Sequence, residues 1–148
     1  MQKANLVIIG AGIVGSSAAY HLAQLGWRDI LVMDKGDLYE VDGSTSHAPG
    51  GMFLTNNSKM MVSLARHSRK WYGQLHEAAL ATGQEPMMFG TGGLEVAYTK
   101  ERLADLYRRW GWAKSYGLEG ASILSSNEAA QLNPLIDPKV IHGAYYTP

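Results

Sequence analysis

Apolar positions change their spacing several times along the chain, and each change marks an element. Leu6, Val7, Ile8 and Ile9 form an unbroken apolar run, the pattern of a parallel strand buried on both faces. From Ile13 the apolar residues move to helical steps through Val14, Ala18, Ala19, Leu22 and Leu25. Gly26 is placed to end that helix as the residue just past its C-cap. Ile30, Leu31, Val32 and Met33 then make a second buried strand, closing on Asp34. Strand, helix and strand in that order predict one parallel βαβ unit.

The pattern weakens afterwards and then returns. Residues 36–51 have no periodicity and are rich in glycine, serine and aspartate, so a loop is expected. Residues 58–81 are helical in pattern, with Met61, Leu64, Ala65, Ser68, Trp71, Tyr72, Leu75, Ala78 and Ala79 at three- and four-residue steps. Residues 82–86 break it. Residues 87–99 read as strand-like around a kink at Gly90, Gly92 and Gly93, with Leu94, Val96 and Tyr98 facing together. Residues 100–116 form a further amphipathic helix through Leu103, Leu106, Tyr107, Trp110 and Ala113, whose aromatics are expected in a core and not against a ligand. Ile123 and Leu124 make a short strand. Ser125 to Glu128 (S-S-N-E) is a capping box for a helix reaching Leu132, stopped by Asn133-Pro134. Residues 140–146 are the last strand-like run.

These later strands read as an antiparallel sheet with helices beside it. The expected fold class is therefore α/β: the start of a Rossmann-like βαβ domain, residues 1–86, followed by the beginning of an α+β domain, residues 87–148. Two parallel strands do not make a sheet covered on both faces. The fold is thus expected to be incomplete, the amino-terminal part of a longer protein.

Composition narrows the partners. The chain has 148 residues, 46% hydrophobic and 18% charged, which suits a folded domain with a real core. Net charge is zero, so no overall field draws it to nucleic acid or an anionic membrane. Arg66, Arg69 and Lys70 follow one helical stretch and are expected to be a solvated face. Cysteine is absent, which removes disulfides, thiolate metal sites and a cysteine nucleophile. The run from Leu6 to Ile9 is too short to span a bilayer. The first strand follows Met1 almost at once, so no signal peptide is expected and a cytoplasmic location is inferred.

Gly10, Gly12 and Gly15 spell G-x-G-x-x-G between the first strand and its helix. Gly10 permits the tight turn, Gly12 lets backbone approach a pyrophosphate, and Gly15 lets helix pack on strand. Asp34 stands 19 residues after Gly15, close to the spacing of an acid that binds a ribose diol. Its charge disfavours a 2′-phosphate, although neighbouring Lys35 keeps that ligand open. Residues 43–51 (G-S-T-S-H-A-P-G-G) leave two readings: a segment wrapping a cofactor, with Ser44, Thr45 and Ser46 as hydroxyl donors, or a surface loop. An NAD-dependent dehydrogenase would satisfy the opening motif but would leave residues 43–51 unexplained. His21, His67, His76 and His142 have no metal-ligand spacing, and no metal is expected.

Several stretches together resemble a known family. They are V-I-I-G-A-G-I-V-G (7–15), G-S-T-S-H-A-P-G (43–50), T-N-N-S-K (55–59) and G-T-G-G-L-E-V-A (90–97), with R-L-A-D-L and N-P-L-I following in order. The chain resembles the FAD-dependent amine oxidoreductases of the D-amino-acid-oxidase-like superfamily. Within it the likeness is to the dimethylglycine and sarcosine dehydrogenases and, above all, to the bacterial dimethylglycine oxidases. The chain differs at Gly90-Thr91, where that family commonly has a bulkier apolar residue. The resemblance implies that His47 carries FAD covalently through the 8α carbon of its ring system. It also implies that Gly10, Gly12, Ile13, Val14, Gly15, Asp34, Lys35, Ser44, Thr45, Ser46 and Gly51 line the cofactor. The implied reaction takes a hydride from an N-methyl carbon of dimethylglycine or sarcosine, with oxygen or an electron-transfer flavoprotein as acceptor. Tetrahydrofolate would be a possible further ligand, and the catalytic residues and folate domain would lie beyond residue 148. Related chemistry on D-amino acids or other secondary amines is the alternative. A non-catalytic fragment that binds no nucleotide is another.

Overall fold

In the computed structural model, which describes residues 3–37 and 43–148, the first apolar run is β1 (Leu6–Ile9) and the second is β2 (Ile30–Met33). They pair in parallel, Leu6 opposite Ile30 and Ile9 opposite Met33. The crossover is α1 (Ile13–Gln24), as the spacing predicts. Its end is closed by two backbone bonds: Gly26 N–H to Ala23 O and Trp27 N–H to Leu22 O, each 3.0 Å. Gly26 has φ +90°, a conformation that a Cβ would strain, which explains the glycine there. These elements belong to one unit, Met1–Gly51. The expected loop after β2 is only partly irregular. Residues 38–42 lie outside the described residues, and Ser44–His47 form a single helical turn, α2. Serine and threonine suggest a loop by propensity. Here the turn is held instead by Ser46 N–H and Ser46 Oγ, which donate to Gly43 O at 3.2 and 2.8 Å.

The second unit is Met52–Pro148. It opens with α3 (Lys59–Ala81), capped by Ser58 Oγ, which accepts from Met61 N–H. The sheet that follows has the order β3-β5-β4, from β3 (Gly93–Ala97), β4 (Ser122–Leu124) and β5 (Gly143–Thr147), all antiparallel. Between them lie α4 (Lys100–Ser115) and α5 (Ser126–Leu132). Sheet residues Ala97, Tyr145 and Ile123 pack with Leu106, Trp110 and Ala113 of α4. Leu94, Val96 and Ala144 belong to a separate cluster with Ala129 of α5, Ile136 and Ile141. Alternating residues along β3 and β5 therefore go to two different cores, as the two-residue side-chain period of a strand requires.

β3 and β5 are both shorter than their apolar pattern. The segment before Gly93 is not strand, because Gly92 has φ +71° and the N–H groups of Met87 and Met88 donate to His76 Nδ1 at 3.1 and 3.3 Å. Those donors serve a side chain and not a ladder. Tyr98 lies beyond β3 and is exposed, so it does not join Leu94 and Val96. Residues 140–142 likewise precede β5; only His142 N–H reaches back, to Ala97 O at 2.8 Å. The basic stretch on α3 also departs from expectation. Arg66 donates to the carbonyls of Tyr116 and Gly117, the end of α4, so it caps a helix and is not merely solvated.

α4 is also tied to β3 by charge. Glu95 accepts from Arg102 and Arg109 at 2.8 and 3.1 Å, while Asp105 accepts from Arg102, Arg108 and Arg109 at 2.7, 2.9 and 2.9 Å. Desolvation pushes the Asp105 carboxyl up, but Arg109, Arg108 and Arg102 outweigh it and the net shift is downward. Each pair is half-exposed and worth little alone. Shared guanidinium groups turn them into a network that fixes the angle of α4 on the sheet.

The expected capping box is formed in full. Ser125 Oγ accepts from Glu128 N–H at 3.3 Å, and Glu128 Oε2 accepts from Ser125 N–H at 2.8 Å and Ser125 Oγ–H at 2.6 Å. Replacing Ser125 by Ala should cost about 1 kcal/mol of unfolding free energy, and Ser125→Asp much less. Urea unfolding with an unchanged slope measures this. Equal losses in both variants would show that the hydroxyl is not acting as a cap.

Candidate functional site

The glycine turn between β1 and α1 is the most constrained backbone in the first unit. Gly10 N–H donates to Met33 O at 2.7 Å, extending the ladder by one bond, and Gly10 itself has φ +104°. A Cβ on Gly15 would lie 1.8 Å from Gly10 O and 3.2 Å from Ile8 Cγ2, so no side chain fits there. This is the close packing of helix on strand that the motif predicts. Gly12 is different. Its φ is −65°, which any residue adopts, yet a Cβ would lie 3.1 Å from Thr45 Oγ1.

Asp34 stands at the end of β2 and faces the turn. Its Oδ2 accepts from Ala11 N–H at 2.6 Å and its Oδ1 from Gly36 N–H at 3.3 Å. The Ala11 N–H above all, then those of Gly36 and Lys35, hold the carboxyl below its ordinary range. Asp34 is exposed, and a carboxylate has about four acceptor positions, so capacity remains for a diol.

The N-terminus of α1 carries no side-chain cap of its own and no acid in its first turn. Its first N–H, from Ile13, donates to Thr45 Oγ1 at 3.1 Å, and the intrahelical bonds begin with Ser16 N–H to Gly12 O at 2.9 Å. The N–H groups of Val14 and Gly15 lie between these two. Two amides at a positive helix end, over a glycine without a Cβ, are the donor set that a pyrophosphate needs. The residues present thus fit the phosphates and ribose of a dinucleotide.

α2 brings the second motif to the first. His47 Nδ1 lies 2.9 Å from Gly43 O. A carbonyl oxygen only accepts, so Nδ1 carries a proton, and in the neutral tautomer with that proton the lone pair is on Nε2. The ring thereby turns Nε2 to the side away from its own backbone.

Direct contacts join Gly10, Gly12, Ile13, Gly15, Asp34 and Thr45 into one cluster. Val14, Lys35, Ser44 and Gly51 are exposed. Ser46 Oγ turns back to Gly43 O within its own turn. Two members were not readable from the sequence: the amide of Ala11, which holds Asp34, and the carbonyl of Gly43, which sets the His47 tautomer. Both act through backbone, so residue identity carries no signal of them. Among the described residues no three metal-ligating side chains gather, and no helix is long and apolar enough to cross a membrane.

Comparison with known proteins gives a consistent set of relatives. The family model described as DAO, FAD dependent oxidoreductase, matches residues 5–148. The mitochondrial pyruvate dehydrogenase phosphatase regulatory subunit of Mus musculus is 34% identical over 146 residues, 99% of this chain and 16% of that protein. The mitochondrial sarcosine dehydrogenase of Homo sapiens is 32% identical over 147 residues, again 99% of this chain and 16% of the relative. The mitochondrial dimethylglycine dehydrogenase of Rattus norvegicus matches at 32% with the same coverage. Among solved structures, glycine oxidase from Geobacillus kaustophilus superposes with a TM-score of 0.81 at 28% identity, covering 97% of this chain and 39% of the other. The chain therefore spans about a sixth of the length of the curated relatives it matches.

The Asp34 contacts set a pH dependence. A carboxyl whose folded value is depressed contributes stability that is present above its unfolded value and is lost as pH falls through the folded one. The Asp34 carboxyl, followed by carbon-detected NMR, should therefore titrate below the ordinary aspartate range. In Asp34→Asn the corresponding acid-side loss of stability should vanish. A midpoint at or above the ordinary aspartate value would mean that the Ala11 amide is not bound to it in solution.

Proposed function

Because the chain belongs to the FAD dependent oxidoreductase family, we propose that it holds FAD in an enzyme oxidising an N-methylated glycine, dimethylglycine or sarcosine. In that enzyme residues 1–86 are the first part of the cofactor-binding domain and residues 87–148 open the substrate-binding domain. Gly10, Gly12, Val14 and Gly15 take the pyrophosphate, and Asp34 takes the adenosine ribose. Ile13, Lys35, Ser44, Thr45, Ser46 and Gly51 line the remainder. His47 holds the flavin covalently at its 8α carbon through Nε2.

The observation that carries this reading is the His47 turn: Nδ1 is engaged by Gly43 O, which leaves Nε2 as the nitrogen for attachment, and Thr45 ties the same turn to the start of α1. A ligand with phosphates on α1 and a reactive ring carbon at His47 is what a flavin dinucleotide offers. Bound FAD would supply the acceptor for a hydride from the N-methyl carbon. The similarity to relatives named for sarcosine and dimethylglycine supports that substrate class.

In the protein that carries this chain, flavin fluorescence should stay with the polypeptide on a denaturing gel, and His47→Ala should lose it while still binding FAD reversibly. A wild-type band without fluorescence, or a fluorescent His47→Ala band, would sink the attachment.

One relative points to a second reading. The 34% identity to a protein named as a phosphatase regulatory subunit supports a flavin-fold protein that regulates and does not turn over an amine. Anaerobic mixing separates the two. Dimethylglycine or sarcosine should bleach the oxidised flavin band, and faster than D-alanine does. A loaded flavin that none of the three bleaches favours the regulatory reading; D-alanine fastest would move the substrate to D-amino acids.

A further inference from the structure

We propose that Thr45 is a positioning residue that registers the histidine-bearing turn on the glycine turn, so that the phosphate-binding end of α1 and His47 are held as one piece. This rests on the FAD reading above for its purpose, though not for its geometry. Two contacts of one oxygen carry it. Thr45 Oγ1 accepts the first N–H of α1, from Ile13, at 3.1 Å. The same oxygen is the neighbour that a Cβ at residue 12 would meet, also at 3.1 Å.

α1 lacks the local hydroxyl or carboxylate that usually caps a helix, since its N-cap is Gly12 and makes no side-chain bond. The cap comes instead from a residue 32 positions later. A cap that far away fixes more than a helix end: it fixes where the intervening segment must return. His47 lies two residues beyond Thr45 in the same helical turn, so its direction is set once the Thr45 oxygen is seated. The glycine at position 12 then has a second reason. Its φ of −65° would suit alanine, and the obstacle to alanine on this side is the Thr45 hydroxyl.

The residue type follows from the chemistry. The contact needs an oxygen acceptor on a short side chain. Serine supplies the same oxygen, whereas valine supplies the shape of threonine and no acceptor. Removing the hydroxyl should leave the Ile13 N–H to water and let the turn carrying His47 take other orientations.

Two measurements test this. The first is the rate of covalent flavin attachment to folded protein at saturating FAD, so that weaker binding or poorer folding does not enter. Thr45→Ser should stay within about twofold of wild type, and Thr45→Val should slow attachment about tenfold, the size of one lost capping bond. An unchanged rate in Thr45→Val would overturn the proposal. The second needs no flavin: a double-mutant cycle on thermal unfolding. Gly12→Ala should lower the midpoint in the wild-type background and do so much less in Thr45→Ala, because the clashing oxygen is gone. Additive losses would refute the contact. Should the wild type take up no covalent flavin at all, the attachment reading fails, and the cycle alone decides whether Thr45 registers the turn.

Discussion

A carbonyl oxygen and a missing methyl group govern the first unit. With Gly10 O where a Gly15 Cβ would come within 1.8 Å, α1 can lie on β1 only if residue 15 has no side chain. Once α1 is that close, the short turn between strand and helix has no room to satisfy its amides locally. Three are served from elsewhere: Gly10 N–H by Met33 O, Ala11 N–H by Asp34, Ile13 N–H by Thr45. The first two partners come from the end of β2 and the third from α2. One close approach therefore recruits the acid and the histidine turn, and leaves the amides of Val14 and Gly15 for an anion.

The second unit is governed differently. Its sheet divides its side chains between two cores, and the boundary of the α4 core is ionic. Tyr145 is buried there, and its hydroxyl has no hydrogen-bond partner among the described residues. Burial first, and then Glu95, push that phenol up, so it stays neutral. That unpartnered hydroxyl costs free energy, which the packing of the ring with Leu106, Ala113 and Leu118 offsets. The Arg network then does what the hydroxyl does not: it sets α4 at a fixed height over β3.

What could be read from the sequence was what is local. The apolar runs, the G-x-G-x-x-G spacing, the acid after β2, the glycine that closes α1 and the S-S-N-E capping box all depend on residues a few positions apart. Each formed in the expected place, as did the parallel βαβ unit followed by an antiparallel sheet, but β1 and β2, read as buried on both faces, have no buried residue, and Ile9 is 89% exposed. The departures share the opposite property. The helical turn at Ser44–His47, the use of Arg66 on the end of α4 and the loss of strand before Gly93 depend on a partner distant in sequence or on a backbone atom. Propensity sees neither. Asp34 falls between: its position was legible, but half of its work, holding the Ala11 amide, was not.

The two units also differ in how they are stabilised, and this bears on why a covalent tether would matter. Among the described residues the buried apolar side chains all come from residues 62–145, while α1 has none. In the first unit Ile9 and Val14 are 89% and 81% exposed. A two-stranded sheet with one helix gains little by burying its own surface. Any ligand it binds adds to its order, by the linkage that makes ligand occupancy a contribution to folding. A reversibly held dinucleotide would give such a site stability only in proportion to its free concentration. The bond proposed at His47 would remove that dependence, because the ligand would no longer leave when the unit opens. The histidine on α2 would thus serve the fold as well as the chemistry, keeping the glycine turn, Asp34 and Thr45 assembled around a cofactor that cannot be lost to dilution.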